Sequence, residues 1–249
     1  STASADITPS QVLVVYNSAA SGASVLKDTY LAAHPDTPAE NVLDLNNAAL
    51  NVADLTRAQF VSLVRDPVRA YLSLAGPPTP QGIIAIVLIR PFPHRLLDSD
   101  AGAVGDDPSA TVAEFSAGDA TCSSLDADLA LLWQNLDTGE AGGTMDSKAD
   151  NIIDNPFHQS ASAINLFTRT NIQTQKTFQN YGNYVWLISG SGAARLTSGD
   201  IYRVCRIDGN TLADAQASIT RAQGLYVNKA LVKVILDEFD EAIGGGLDD

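Results

Sequence analysis

Two hydrophobic rhythms alternate along the first ninety residues. Residues 11–16, Gln-Val-Leu-Val-Val-Tyr, form a short β-branched run that is apolar on both faces. Such a run predicts a buried strand of a parallel sheet. After the polar turn at Asn17-Ser18 and Ser21-Gly22, apolar residues return at helical spacing: Val25, Leu26, Tyr30 and Ala33, with Thr29 in register. Ser24 is the expected N-cap, and Pro35 and Pro38 end the helix. Residues 41–45 predict a second strand. Residues 55–74 predict a helix that restarts at Asp66-Pro67, because proline suits a first helical turn, and Gly76-Pro77-Pro78 closes it. Residues 83–89 are the third and most apolar strand. A β-α-β-α-β order predicts a parallel sheet with right-handed crossovers.

The rhythm then breaks. Residues 90–121 and 134–160 are rich in Pro, Gly, Asp, Asn and Ser and read as long irregular insertions. Between them Ser123-Ser124-Leu125-Asp126 opens a helix, with Ser123 and Asp126 at capping-box spacing and Leu125, Leu129, Leu132 and Trp133 on one face. Residues 184–189, 201–206 and 229–236 predict further strands, and Asn210 the cap of a helix over 211–223. The expected fold is α/β: one domain over 1–249, with a mostly parallel, Rossmann-like or flavodoxin-like sheet flanked by helices.

Charge narrows the function classes. Lys and Arg total 15 against 29 Asp and Glu, for a net charge of −14. A nucleic-acid binder needs a basic footprint, so that class is set aside, and an anionic membrane surface with it. No apolar run approaches the roughly 18 residues of a membrane-spanning helix. The first residues, Ser1-Thr2-Ala3-Ser4-Ala5, have the look of a mature chain after signal-peptide removal, and the expected location is extracellular or at the cell surface. No asparagine lies in an Asn-x-Ser/Thr sequon, which favours a bacterial origin over a eukaryotic secretory one.

Several blocks resemble a serially numbered family of secreted bacterial proteins to which no activity is assigned. They are Val12-Leu13-Val14-Val15-Tyr16-Asn17-Ser18, Pro38-Ala39-Glu40-Asn41-Val42-Leu43, residues 84–88, Ser124-Leu125-Asp126-Ala127-Asp128-Leu129-Ala130-Leu131, Asn155-Pro156-Phe157 and Tyr202-Arg203-Val204-Cys205-Arg206-Ile207-Asp208-Gly209. They run through almost the whole chain in the family's order. The resemblance implies the α/β fold and secretion. Two departures stand out: Arg90-Pro91-Phe92-Pro93-His94 replaces a Gly-Val-Pro turn, and Cys205 stands where the family commonly has threonine.

Four constellations could carry chemistry. His94, after the third strand, and Cys205, in a later one, suggest the dyad of caspase-like and gingipain-like peptidases, where a base generates the thiolate. Against this, Cys205 lies inside its predicted strand, where a buried inert cysteine is commonplace. The two cysteines, Cys122 and Cys205, could instead form one disulfide. Asp98, Asp100, Asp106 and Asp107 offer hard oxygen ligands for calcium but lack the EF-hand pattern, and an acidic loop is ordinarily just solvated. Asp126, Asp128, Asp208 and Arg206 form either structural ion pairs or a ligand site at the carboxyl ends of the strands. Ser189-Gly190-Ser191-Gly192 is an incomplete nucleophile elbow, and His34 and His158 read as surface residues.

Three functions remain open. The leading expectation is a non-catalytic structural subunit that self-associates as a homo-oligomer, array or filament, in which neighbouring subunits would hold the long irregular segments and the triple-glycine tail. The others are a hydrolase of caspase-like or gingipain-like architecture and an extracellular module for a small ligand or glycan. No cofactor is expected apart from the calcium candidate.

Overall fold

The structure, a computed structural model, describes residues 7–74, 76–97, 123–133, 168–170, 172–179, 183–189, 197, 199–223, 238–240 and 245–247. The predicted strand over 229–236, the insertion over 134–160 and the block Asn155-Pro156-Phe157 lie outside them.

The elements follow in chain order. β1 (Val12–Tyr16) leads to α1 (Ala23–Ala33) and β2 (Val42–Asp44). β3 (Asp54–Thr56), α2 (Arg57–Phe60) and α3 (Asp66–Leu72) precede β4 (Ala85–Ile89). β5 (Arg95–Leu97), β6 (Ser123–Ser124) and α4 (Leu125–Ala130) come next. After the hairpin pair β7 (Gln173–Gln179) and β8 (Asn183–Ser189) come β9 (Arg203–Ile207) and α5 (Leu212–Gln223). β10 (Glu238–Asp240) pairs antiparallel with β11 (Gly245–Leu247).

The central sheet runs β2-β1-β4-β9 with every pair parallel, as the β-α-β order predicts. The fold is α/β, a mostly parallel sheet flanked by helices. Side chains alternate between its faces. Leu13, Val15, Ile86 and Leu88 face one way and pack on Phe60, Val64 and Val68, together with Leu125 and Leu129 of α4. Val14, Val87 and Ile89 face the other way and meet Leu26 and Tyr30 of α1 and Ala215 and Ile219 of α5. Each of these core side chains is at most 8% exposed. Full burial stabilises a side chain of this kind by about 1.5–3 kcal/mol. α1 and α5 therefore share one face, and α2, α3 and α4 the other.

Several elements differ from expectation. Residues 54–56 form β3 rather than helix, and they pair in parallel with β5, a strand inside the segment expected to be irregular. Between α2 and α3 the chain widens to a π-helical turn, where the N–H of Asp66 bonds to Val61 O five residues back. Pro67 supplies the reason: it has no N–H for the carbonyl four residues earlier, and its ring crowds that carbonyl. The helix does restart at Asp66-Pro67. β8 pairs with β7 as an antiparallel ladder and not with the central sheet.

Three caps move by one or two residues. Gly22 (φ 79°), not Ser24, caps α1, because the chain enters through a left-handed turn that glycine adopts freely. A Cβ at Gly22 would also stand 3.2 Å from Leu212 of α5. Ser124, not Ser123, caps α4 by accepting from Ala127 N. At α5, Thr211 rather than Asn210 accepts from Asp214 N, and the Asp214 carboxylate accepts from Thr211 N in return.

Candidate functional site

One residue past the strands, the sheet register lines up a row of polar groups. Tyr16 pairs with Asp44, Val15 with Leu88 and Ile89 with Ile207. Continuing each ladder sets Asn17 beside Arg90, and Arg90 beside Asp208. The strand order reverses between β1 and β4, and open α/β sheets bind ligands outside the carboxyl ends of their strands at such a reversal.

Most of this row serves the fold. Asn17 is fully buried; its amide nitrogen donates to Asn47 O and Asn51 Oδ1, and its oxygen accepts from Asn47 N. Asp44 accepts from the N–H groups of Ser18 and Asn46. Burial pushes the Asp44 carboxyl up, but hydrogen bonds from Ser18, Asn46 and the Tyr16 hydroxyl outweigh it and hold the group below its usual range. Arg90 donates to Gly209 O and lies 3.4 Å from the Asp208 carboxylate. Their side chains are 25% and 36% exposed, so this pair is open to solvent, as Asp44 is at the other end of the row. No side chain caps the first turn of α1 at the same end of the sheet. The sequence signal for Arg90 was its place directly after an all-apolar strand, and for Asn17 its place after β1.

The proposed cluster of Asp126, Asp128, Asp208 and Arg206 resolves into three separate ion pairs. Arg206 Nε donates to both oxygens of Asp126, at 2.9 and 2.8 Å, and its other nitrogens donate to Phe92 O and Pro93 O. Asp128 pairs instead with Arg57, both side chains nearly out of solvent. Asp208 pairs with Arg90. Asp126 and Asp128 cannot share a ligand because helical residues two apart point about 200° from each other. Trp133 is buried, and its Nε1–H donates to Tyr202 Oη at 2.8 Å.

His94 and Cys205 do not converge. Arg206 reaches Asp126, Phe92 and Pro93 on the α4 side of the sheet, so the preceding residue, Cys205, points to the α1/α5 side. The tyrosine of α1 senses it there: burial first, then the charge of Cys205, push the Tyr30 hydroxyl up. His94 belongs to the other side, with its N–H on Ala53 O and its carbonyl accepting from Leu125 N. Cys205 is not the buried strand cysteine of the sequence reading; it is exposed and carries a free thiol, on the strand that ends the sheet among the described residues. In a labelling experiment with a thiol-reactive peptide probe, the rate at Cys205 should be the same in wild type and His94→Ala. A large loss of rate in the variant would restore the peptidase reading.

Cys122 lies outside the described residues, as do Asp98, Asp100, Asp106, Asp107, His158 and the Gly190-Ser191-Gly192 segment. Among the described residues no group of three or more His, Cys, Asp or Glu side chains could hold a metal ion. His34 is exposed and stacks on Tyr30, ring centroids 4.4 Å apart. The two rings open an apolar groove of about 340 Å³ between α1 and α5 that reaches β9 at Ile207. Sequence periodicity did not reveal this groove, since it depends on how α1 and α5 sit together.

No helix among the described residues is long and apolar enough to cross a membrane. No protein-family model, curated protein or solved structure matches the chain.

Proposed function

We propose that the protein is a secreted, non-catalytic α/β subunit that works by self-association, and that its association surface is the outer edge of β9. Among the described residues β9 is hydrogen-bonded on one side only, to β4. The observation that carries the reading is the placement of α5 on the face that also holds α1. About 98% of parallel connections are right-handed. A right-handed connection over the α1 face steps from β1 to β2, away from β9. α5 lies over that same face, so a right-handed connection through it does not add a parallel strand beyond β9. The connections over the opposite face, by α2, α3 and α4, step the other way, from β2 past β1 to β4 and from β4 to β9. The outer edge of β9 is unpaired among the described residues, and exposed edges are templates for pairing with another chain.

The net charge of −14 opposes association of identical subunits, so screening should favour it. Light scattering at micromolar concentration should give the mass of more than one copy, with the associated fraction rising with salt. A single-copy mass at every salt concentration would overturn the reading. The resemblance to a secreted bacterial family supports the extracellular location.

One observation favours a second reading. The half-exposed Arg90–Asp208 pair at the chain reversal offers a donor and an acceptor side by side, which suits a small polar ligand or glycan. Binding there would shift the backbone resonances of Arg90, Asp208 and Gly209 without changing the particle mass.

A further inference from the structure

The geometry points to a site of spontaneous covalent modification in the turn from β9 to α5, where Asp208 and Gly209 are set to cyclise and rearrange to isoaspartate. This stands whether or not the chain self-associates. Asp208-Gly209 is the only Asp-Gly or Asn-Gly pair in the sequence. Glycine has no Cβ to shield its backbone nitrogen. The fold calls for each of the two residues separately. A Cβ at position 209 would stand 2.9 Å from both Ala215 N and Asp214 Cβ, so the first turn of α5 leaves room for glycine alone. The Asp208 carboxylate lies 3.4 Å from Arg90 Nε, and Arg90 also donates to Gly209 O, which draws the side chain over the turn. There the Gly209 N–H donates to Asp208 Oδ1 at 2.8 Å. Asp208 Cγ is one carbon–oxygen bond further, within about 4 Å of the nitrogen. The carboxylate is part-exposed, so water and protons reach it.

The reaction is redox-neutral. The carboxylate takes a proton from solvent. The Gly209 nitrogen then bonds to Asp208 Cγ, its own proton and the carboxyl hydroxyl leave together as water, and a succinimide ring forms. Water adds back at either ring carbonyl. Addition at Cγ restores aspartate. Addition at the Asp208 backbone carbonyl breaks the original C–N bond, and the main chain then runs through Cβ and Cγ as isoaspartate. The turn gains a methylene where Gly209 is packed against Ala215 and Asp214. Rearrangement should therefore break the Arg90 contacts and loosen α5 from the face where Leu212 lies against Gly22 and Ala215 and Ile219 join the core.

The test ages the full chain in neutral buffer at physiological temperature, folded and in urea side by side. Peptides are mapped by electron-transfer fragmentation, which tells isoaspartate from aspartate. Position 208 should carry isoaspartate ahead of every other aspartate. It should gain it at least as fast in the folded chain as in urea, because the fold already brings nitrogen and carboxyl together. Asp208→Glu keeps a carboxylate for Arg90 but must close a larger ring, so the signal at 208 should fall to background. The isomerised fraction, separated by ion exchange, should show faster amide exchange over α5 than fresh chain. Slower gain of isoaspartate in the folded chain than in urea, or none at 208, would mean that the turn protects the pair, and overturns the proposal. An isomerised chain whose α5 amides stay as protected as before overturns the loosening.

Discussion

Replacing Asp128 by alanine is expected to remove about 3–5 kcal/mol of stability, because it takes a buried carboxylate away from the buried Arg57 guanidinium. The Arg57 and Asp128 side chains are 7% and 5% exposed, so water does little to compensate. Natural domains are stable by only about 5–15 kcal/mol. A loss of this size should move the urea midpoint strongly or leave the chain unfolded at room temperature. The pair joins α4 to the start of α2 on one face of the sheet. Replacing both partners by apolar residues of similar volume, as in Arg57→Met with Asp128→Leu, should recover most of the loss. If Asp128→Ala unfolds at the wild-type urea midpoint, the pair is not a buried charge site.

A loss of similar size, about 3–5 kcal/mol, is expected for Trp133→Ala, which removes the largest fully buried side chain among the described residues. The deletion also takes the donor from Tyr202, whose hydroxyl donates in turn to Pro80 O at 3.1 Å, and the ring beneath the Arg69 guanidinium. Tyr202 gives the site a signature at high pH. Burial pushes its phenol well above the usual value near 10, and the Trp133 hydrogen bond and the arginines Arg169 and Arg69 recover only part of that. The folded chain therefore resists ionising Tyr202, whereas the unfolded chain ionises it near pH 10. This contribution is fully present below pH 10 and is lost as the pH rises above it. Tyr202→Phe should have a flatter alkaline limb in urea titrations than wild type. An unchanged limb would mean that the hydroxyl is not buried.

The inner strands of the central sheet were legible because a buried parallel strand is a short run that is apolar on both faces, and β1 and β4 are such runs. The helices were legible from their apolar spacing. Their starts were less so: Gly22, Ser124 and Thr211 each lie within two residues of another plausible cap, and only the turn geometry selects among them. β3 was read into the helix that follows, since three residues carry too few positions to separate a period of two from one of 3.6. The candidate site shows the same limit. Arg206 and Asp126 were grouped from sequence without a fixed pairing, and they do meet. Asp128 and Asp208 were grouped with them by nearness in the chain, but helical phase turns Asp128 toward Arg57, and the end of β9 delivers Asp208 to Arg90. His94 and Cys205 looked compatible because the face of a strand residue is fixed by parity, and parity shows only when a neighbour such as Arg206 has a known partner.

The most direct test of the central claim is amide hydrogen exchange, as a function of protein concentration, at Val204 and Arg206, whose N–H groups point away from β4 because the backbone groups of Arg203 and Ile207 bond toward it. If β9 is an open edge covered by a second copy, these two amides exchange fast in dilute solution and become protected as concentration rises, while Arg203, bonded to Ile84 O, stays protected throughout. Protection of Val204 and Arg206 that is independent of concentration would mean that the chain covers its own edge, and would contradict the account.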